Sequence, residues 1–294
     1  MAKRGGARSR SHPVSFRMAA ALCVAEWRNG PKQWTTIDSC NGNEQSPINI
    51  VTNNTQYNKD LKPFNFSGYD SKNNFNLTNN GHSAELSFEG GTEITISGGG
   101  LEGTYKAAQL HFHWGNSDML GSEHSIDGER YAAELHIVHK KDSSRSDTSG
   151  GTTGGKRTIA VLGFFIEESA NDNPKYNGIV QALNDITLKG KSTTVSQVKL
   201  QELIPEAKDL KHFYRYDGSL TTPGCDESVT WTVFHKKITL GKSQLQAFYT
   251  KLNYSMNAVM VENFRPIQKL NVRTVYTSVS NLEILPITAL PVEG

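Results

Sequence analysis

Three histidines in two short segments have the residue types and the spacing of a metal site. His111 and His113 flank Phe112, and residues two apart in an extended strand point to the same face. A third histidine, His136, follows in Glu134-Leu-His136. Three neutral imidazoles leave the fourth tetrahedral position of a zinc ion open to water, as in catalytic hydrolases and hydratases, whereas four protein ligands usually close a structural zinc site. An isolated His-x-His pair is more often ordinary strand sequence, so the motif needs support from its surroundings.

The segments that carry the histidines have the composition of β-strands. Six segments are rich in β-branched and aromatic residues and are separated by turn residues: 86–88, 93–97, 105–114, 131–139, 159–165 and 229–234. Two others, 176–183 and 241–252, have helical character, and apolar residues recur at i, i+3, i+4 and i+7 in the second. The sequence therefore predicts a β-dominated (α+β) fold with few helices.

Length and composition predict one soluble domain. The chain has 294 residues, of which 36% are hydrophobic and 20% charged, and no linker divides it. No run approaches the roughly eighteen apolar residues of a membrane span, and basic residues are not interleaved with aromatic ones as on a nucleic-acid surface. We therefore predict neither a transmembrane span nor a nucleic-acid partner. The domain is expected to cover 26–294, with its core at about 34–285 and a flexible Ser/Gly-rich insertion at 142–157.

Residues 1–25 have the composition of a targeting segment. A basic stretch without acidic residues precedes the apolar run 18–25, which ends in Cys23-Val-Ala25. This order is typical of a secretory signal peptide. An Arg- and Ser-rich mitochondrial transit peptide has a similar composition, so this segment alone leaves both destinations open.

Several sequence blocks, in order, resemble the alpha-class carbonic anhydrases. The blocks are 45–50 (QSPINI), 79–82 (NNGH), 109–115 (QLHFHWG), 121–124 (GSEH), 131–139 (YAAELHIVH), 160–165 (AVLGFF), 219–223 (SLTTP), 229–231 (VTW) and 263–267 (NFRPI). They extend over most of the chain, so the resemblance is to the whole domain. It implies a single large, twisted, mostly antiparallel central sheet with a few peripheral helices and a metal site opening from its centre.

The resemblance also implies a function: the zinc-dependent, reversible hydration of carbon dioxide to bicarbonate and a proton, a lyase reaction in which a hydroxide held on zinc attacks the substrate. His111, His113 and His136 are then the zinc ligands. Gln109 and Glu134 are their supporting partners, since each lies two residues before a ligand on the same strand face. Carbonic anhydrases are the standard example of a zinc-held water whose pKa is about 7, so that value comes with the resemblance.

Other residues match family positions that act on the hydroxide and the proton. Thr221 matches the threonine that accepts a hydrogen bond from the hydroxide and donates its own hydrogen to Glu123, a carboxylate that can only accept. His82 matches the proton shuttle, an imidazole titrating near neutral pH, and Asn80 its partner in ordering the intervening water. Five more residues match positions that contact bicarbonate or form an apolar wall for carbon dioxide: Thr222, Val138, Val161, Leu220 and Trp231.

Two cysteines and four sequons bear on the compartment. Cys40 and Cys225 match the places where exported family members carry a disulfide, and disulfides persist in oxidising compartments. The Asn-x-Ser/Thr sequons, as glycosylation candidates, are Asn53, Asn65, Asn76 and Asn253. We therefore favour an extracellular protein, secreted or on the cell surface, over a mitochondrial one.

The sequence leaves two further questions open. A monomer is expected, and a lipid anchor is not excluded although residues 287–294 lack an apolar tail. A catalytically silent carbonic-anhydrase-like domain, serving as an extracellular binding module, is the competing function. The usual mark of a silent member is the loss of a zinc histidine, and here all three are present together with Glu123 and Thr221, which favours the enzyme.

Overall fold

A computed structural model describes residues 38–117, 120–144 and 157–280 of the protein. Over these residues the chain is mainly β-structure. Its strands are β1 (Asn49–Ile50), β2 (Gln56–Tyr57), β3 (Phe64–Ser67), β4 (Asn73–Asn79), β5 (Ala84–Phe88), β6 (Thr95–Gly98), β7 (Tyr105–Trp114), β8 (Ser125–Ile126), β9 (Ala133–Lys141), β10 (Ile159–Ser169), β11 (Ser192–Val198), β12 (Phe213–Gly218), β13 (Val229–Gly241), β14 (Asn253–Ser255), β15 (Ala258–Val259) and β16 (Tyr276–Thr277).

The helices of the described part are few and short. The α-helices are α1 (Asn177–Ala182), α2 (Leu200–Leu203) and α3 (Lys242–Lys251). Single turns of 3-10 helix occur at Asp38–Asn41, Thr52–Asn54, Pro174–Tyr176, Leu183–Asp185 and Ala207–Asp209.

One large sheet organises the molecule. Its strands run in the order β11-β4-β5-β7-β9-β10-β13-β12-β16-β2, with β6 beside β7 and β3 beside β6. Neighbouring strands pair antiparallel, except for the parallel pairs β10–β13 and β16–β2. The predicted β-dominated fold with one large, mostly antiparallel sheet is therefore confirmed.

Alternation along β7 separates a packed face of the sheet from a face that carries polar groups. Phe112 and Trp114 point away from the two histidines of that strand and contact Phe248 of α3, with ring centroids 5.1 and 5.4 Å apart. Burying side chains of this size stabilises a fold by about 1.5–3 kcal/mol each. The apolar spacing predicted for segment 241–252 thus places the helix against the sheet, behind the histidine strand.

Element ends depart from the prediction where tertiary pairing decides them. The strand predicted at 229–234 continues to Gly241, because pairing with β10 shifts register after Phe164–Phe234 and resumes at Ile166–Ile238, past the polar residues in between. The strand predicted at 131–139 begins at Ala133 and extends to Lys141. The predicted helix 176–183 is divided between a 3-10 turn, α1 and a second 3-10 turn.

A disulfide joins Cys40 to Cys225, which are 185 residues apart, and both cysteines are buried. It fixes the loop after β12 to the first described turn of the chain. The predicted targeting segment 1–25, with Cys23 in it, and positions 145–156 of the predicted insertion lie outside the described residues. Within the described ranges, no helix is both long and apolar enough to cross a membrane.

Candidate active site

The three histidines meet on one face of adjacent strands. β7 and β9 pair antiparallel with His111 opposite His136, and His113 lies two residues further along β7 on the same face. Their ring centroids are 5.0 Å (His111–His113), 5.2 Å (His111–His136) and 4.7 Å (His113–His136) apart. Each imidazole offers one nitrogen to a common centre, and the three nitrogens lie within 4.8 Å of one another. These three nitrogens could bind a single metal ion.

The other nitrogen of each imidazole is held by an acceptor. The pairs, each 2.8 Å apart, are His111 Nδ1 with Gln109 Oε1, His113 Nδ1 with the Asn263 carbonyl oxygen, and His136 Nε2 with Glu134 Oε1. A neutral imidazole carries one N–H, so these acceptors fix the proton and leave a lone pair on the nitrogen facing the centre. Among the described residues, the buried Nε2 of His113 has no hydrogen-bond partner. That unsatisfied nitrogen fits a metal ligand.

The electrostatics of the site keep the imidazoles neutral. Burial and the neighbouring histidines lower the pKa of His111 well below its usual value, and burial lowers that of His113 to about 4. Burial also lowers the pKa of His136, although Glu134 acts in the opposite direction. Three neutral nitrogen donors near neutral pH are the donor set that zinc prefers in an open site.

Glu134 is the most heavily engaged carboxylate of the site. Its Oε1 contacts His136 Nε2 at 2.8 Å and His124 Nδ1 at 2.7 Å, and its Oε2 accepts the backbone N–H groups of Glu123 and His124 at 2.8 and 2.9 Å. Burial alone raises the pKa of Glu134, but His124 and His136 lower it well below its usual value. The carboxylate is therefore held ionised in the interior, where it orients His136.

Glu123 lies beside the histidine centre. Its Oε1 accepts the backbone N–H of Arg265 at 2.7 Å, while its Oε2 is 3.4 Å from His113 Nε2 and 3.9 Å from His136 Nδ1. Burial raises the pKa of this carboxyl to about 7, and His136, Arg265 and the side chain of Thr221 lower it in part. Thr221 is thus close enough to Glu123 for the two side chains to interact.

The loop that carries Thr221 is fixed at both ends. The backbone N–H of Ser219 donates to Ser46 Oγ, and the backbone N–H of Ser46 donates to Ser219 Oγ, each at 3.0 Å. At the other end the Cys225 N–H donates to the carbonyl of Thr222 at 2.9 Å, and Cys225 carries the disulfide. Thr221 itself is buried. The loop of the threonine is therefore held in place by Ser46 and, through the disulfide, by Cys40, both far from it in the sequence.

A cavity of about 450 Å³ opens over the three histidines. Besides the three histidines, residues singled out from the sequence that line it are His82, Asn80, Gln109, Thr221, Thr222, Val138, Val161, Leu220 and Trp231. Trp231 also contacts a ligand candidate directly, with its ring centroid 4.8 Å from that of His136. Apolar side chains therefore border the histidine centre on one side, as a site for an apolar substrate requires.

His82 and Asn80 are joined at the turn between β4 and β5. Asn80 Oδ1 accepts the backbone N–H groups of His82 and Ser83 at 3.0 and 2.8 Å, and its Nδ2 donates to Glu85 Oε2 at 3.2 Å. The Asn80 amide thus shapes the turn that presents His82. Burial, with a smaller effect from His113, lowers the pKa of His82 to about 4. In this position the imidazole is neutral at pH 7.

Asn263 has a role at the site that the sequence alone did not assign. Besides its carbonyl contact to His113, its Oδ1 accepts the backbone N–H of Trp114 at 2.7 Å, and its Nδ2 donates to the carbonyls of His82 and Phe112 at 2.9 and 3.1 Å. It ties the histidine strand to the His82 turn. Asn263 begins the family-like block 263–267, which was the available sequence signal, but nothing in that block indicates which residues Asn263 contacts.

The four sequons differ in surroundings. Asn53 and Asn65 are exposed, whereas Asn76 and Asn253 are half-buried. Asn253 Nδ2, the atom that would carry a glycan, donates to the carbonyls of Thr187 and Lys251, both at 3.1 Å. The side-chain amides of Asn53 and Asn65 are therefore the more accessible.

Comparison with known proteins supports the same assignment as the geometry. The model of the eukaryotic-type carbonic anhydrase family matches residues 29–279. Carbonic anhydrase 4 of Rattus norvegicus is 45% identical over 252 residues (85% of this chain and 80% of the relative), and carbonic anhydrase 4 of Oryctolagus cuniculus is 43% identical over 260 residues (88% and 82%). Carbonic anhydrase 12 of Homo sapiens is 38% identical over 265 residues (87% and 73%). The chain therefore belongs to the eukaryotic-type carbonic anhydrase family and is a lyase, a carbonate dehydratase.

Proposed function

We propose that this protein interconverts carbon dioxide and bicarbonate with a zinc ion held by His111, His113 and His136. The observation that carries the proposal is that the two nitrogens of each imidazole have different contacts. One nitrogen is held by a protein acceptor, and the other faces a common centre. When bound, zinc supplies a Lewis acid that makes water a nucleophile near neutral pH. The chain contributes the orientation of the reactants, the exclusion of water and the removal of the proton.

Thr221 and Glu123 would orient the nucleophile. Glu123 is fixed by the Arg265 N–H on one oxygen and turns the other towards the histidine centre. In its ionised form the Glu123 carboxylate can only accept, so the Thr221 hydroxyl then donates its hydrogen to Glu123 and keeps its oxygen as an acceptor for the proton of the nucleophile. A lone pair of the nucleophile then points away from Thr221, towards the substrate.

The apolar lining of the cavity would bind carbon dioxide. Val138, Val161, Leu220 and Trp231 line the cavity beside the histidines, and a non-polar substrate gains from displacing water there. Thr222 lies on the same loop as Thr221 and lines the same cavity, and we assign to it a contact with bicarbonate. The loop therefore offers two hydroxyls and the apolar Leu220, and the strands offer the other three apolar side chains.

His82 would carry the proton away from the cavity. Because burial and His113 lower its pKa to about 4 in the position observed, the imidazole accepts a proton poorly there at pH 7. We propose that His82 works from a more solvated rotamer, in which its pKa returns towards the ordinary value of about 6.5. Asn80 holds the backbone of His82 through the turn, so the imidazole can change rotamer while the turn stays in place.

The compartment we propose is extracellular, either secreted or at the cell surface. The disulfide between Cys40 and Cys225 supports it, since such bonds persist in oxidising surroundings. The mitochondrial alternative rests on residues 1–25, which lie outside the described part. As partners we propose carbon dioxide and bicarbonate, acted on by a monomer.

The test compares Thr221 variants of the zinc-loaded protein by stopped-flow carbon dioxide hydration and zinc analysis. Thr221→Val keeps the shape but removes the hydroxyl, and loss of one such hydrogen bond costs about 100-fold in rate. Thr221→Ser keeps the hydroxyl and is the matched control, expected to retain most of the rate. Both variants should bind zinc as the parent does. A zinc-loaded parent without hydration above background would contradict the enzyme and favour the binding module.

A further inference from the structure

A second cavity lies apart from the histidines. Its volume is also about 450 Å³, within the range of roughly 300–1,000 Å³ typical of small-molecule sites, and it shares no lining residue with the histidine cavity. It lies where β12, the turn before β7 and the segment 273–276 meet. None of the residues assigned above to zinc, substrate or proton transfer takes part in it.

The guanidinium of Arg215 is buried in the wall of this second cavity, and some of its N–H donors have no acceptor among the described residues. Arg215 is 7% exposed. Its Nε donates to Thr232 Oγ1 at 3.2 Å, and its Nη2 donates to the Gly99 carbonyl at 2.6 Å and to Thr232 Oγ1 at 3.0 Å. Within the described ranges Nη1 donates no hydrogen bond, and a Cβ placed on Gly100, another lining residue, would lie 3.4 Å from it. Nη1 therefore faces the cavity.

Arg215 forms no ion pair in the described part of the chain; the carboxylate of Asp217, which is exposed and lines the same cavity, acts on it from beyond ion-pair distance. Arg157, in the same wall, is paired with Glu44 at 2.8 Å and with Asp217 at 3.5 Å, but no carboxylate lies within ion-pair distance of Arg215. Its guanidinium instead faces the aromatic rings of Phe64 and Phe213, 5.9 and 5.7 Å away. Burial lowers the pKa of Arg215 to about 10, so the group is still charged at pH 7. Buried charges are normally paired at close range, and no carboxylate of the described residues lies within ion-pair distance of this one.

The rest of the lining restricts the kind of anion. Leu61, Leu101, Tyr105 and Tyr276 offer apolar surface, which suits a ligand with an apolar body. The carboxylates of Glu44, Asp217 and the exposed Glu102 line the cavity beside the guanidiniums of Arg157, Arg215 and Arg273, so the lining is neutral overall and disfavours an anion that carries more than one negative charge. We infer that this cavity binds a small organic monocarboxylate, with the carboxylate on Nη1 of Arg215 and the apolar body against the leucines.

The probe for this site is 4-bromobenzoate, a monocarboxylate with an apolar ring and an anomalous scatterer. It would be soaked into crystals of the zinc-loaded protein and titrated calorimetrically in solution. We expect bromine density in the Arg215 cavity with the carboxylate within hydrogen-bond distance of Nη1. Bromine density over the histidines alone, or inorganic phosphate binding more tightly than the probe at the Arg215 cavity, would overturn the inference.

Two variants test the charges separately. Arg215→Met removes the charge-assisted hydrogen bond and should weaken binding at least about tenfold while leaving the hydration rate unchanged. Should that variant fail to fold, Glu102→Gln, at an exposed position, decides the matter, because loss of the repelling charge should tighten binding by about two- to fivefold. An unchanged affinity in Glu102→Gln, or full affinity in a folded Arg215→Met, would refute the carboxylate site.

Discussion

β9 carries one buried histidine on each face, and the two differ in the contacts of their ring nitrogens. His139 uses both ring nitrogens, Nδ1 with the Ile137 carbonyl at 3.1 Å and Nε2 with the Tyr69 hydroxyl at 2.7 Å. His136, three residues earlier and on the other face, uses Nε2 with Glu134 and turns Nδ1 towards the other two histidines of the site. Burial lowers the pKa of both imidazoles. Burial therefore does not distinguish a ligand from a structural histidine; a ring nitrogen that faces the other two imidazoles of the site does.

His124 shows that the distinction does not depend on distance from the centre. It lies against His136, with ring centroids 6.1 Å apart, yet its Nδ1 contacts Glu134 and its Nε2 contacts the Tyr216 hydroxyl, each at 2.7 Å. Both of its nitrogens are engaged, as in His139. We therefore place His124 with the structural histidines, where it supports the carboxylate that orients His136.

The largest effect is expected from exchanging the two histidines of β9 for glutamine one at a time. His136→Gln should lose zinc and at least about 100-fold in hydration rate, since loss of even an outer partner of a metal ligand costs about 10–100-fold. His139→Gln should keep its zinc and most of its rate but lose about 1–3 kcal/mol of unfolding free energy, because a buried partner is left unpaired. Zinc analysis and urea denaturation of both variants measure this. Zinc loss in His139→Gln would erase the contrast between the faces.

The disulfide tests the difference between the two faces of the sheet. The face with the zinc ligands depends on the Thr221 loop that the disulfide anchors, and the packed face does not. Replacing Cys40 and Cys225 together by serine should lower the unfolding free energy by about 2–5 kcal/mol. The hydration rate should fall as well, since the Thr221 loop loses one of its anchors, while zinc content stays the same. Denaturation and stopped-flow assays on the double variant test this. An unchanged rate would mean that the Ser46–Ser219 contacts hold the loop by themselves.

The neutral state of His139 should make the unfolding free energy depend on pH in the acid range. Its pKa is about 4 in the folded protein and about 6.5 when unfolded, so the unfolded chain binds more protons between these values. The stabilisation is complete above pH 6.5 and is lost as pH falls towards 4, and it amounts to about 3 kcal/mol. Denaturation at pH 7 and pH 5 should show a smaller loss in His139→Gln than in the parent. Equal losses would show that His139 is not held neutral by its surroundings.

The smallest effect concerns proton removal from the polar face. His82→Ala should lower the maximal hydration rate by about tenfold in weak buffer and leave zinc content unchanged. The loss is below the roughly 100- to 10,000-fold of a side chain that transfers a proton in the chemical step, because His82 acts only after that step. Added imidazole should restore much of the rate, because it replaces a proton carrier and not a ligand. Stopped-flow assays at several imidazole concentrations measure this. A parent-like rate in weak buffer would reduce His82 to a turn residue.

The parts of the site that depend on strand periodicity could be predicted from the sequence. His111 and His113 share a face because they are two apart, and Gln109 and Glu134 lie two before their histidines, so local spacing sufficed. Contacts fixed by tertiary packing were out of reach. The acceptor of His113 is the Asn263 carbonyl, 150 positions away, and no local pattern marks it. Likewise, the sequence shows Arg215 only as a basic residue in a strand, and the fold is needed to show which carboxylates lie near it.

A ring nitrogen that faces the other two imidazoles marks each zinc ligand, and histidine side-chain ¹⁵N NMR tests this most directly. The metal-depleted protein would be titrated with zinc while the ring nitrogens are followed individually. At one zinc per chain the resonances of Nε2 of His111, Nε2 of His113 and Nδ1 of His136 should shift, while both nitrogens of His139 stay in place. Zinc-induced shifts at the ring nitrogens of His139, or none at Nδ1 of His136, would contradict the account.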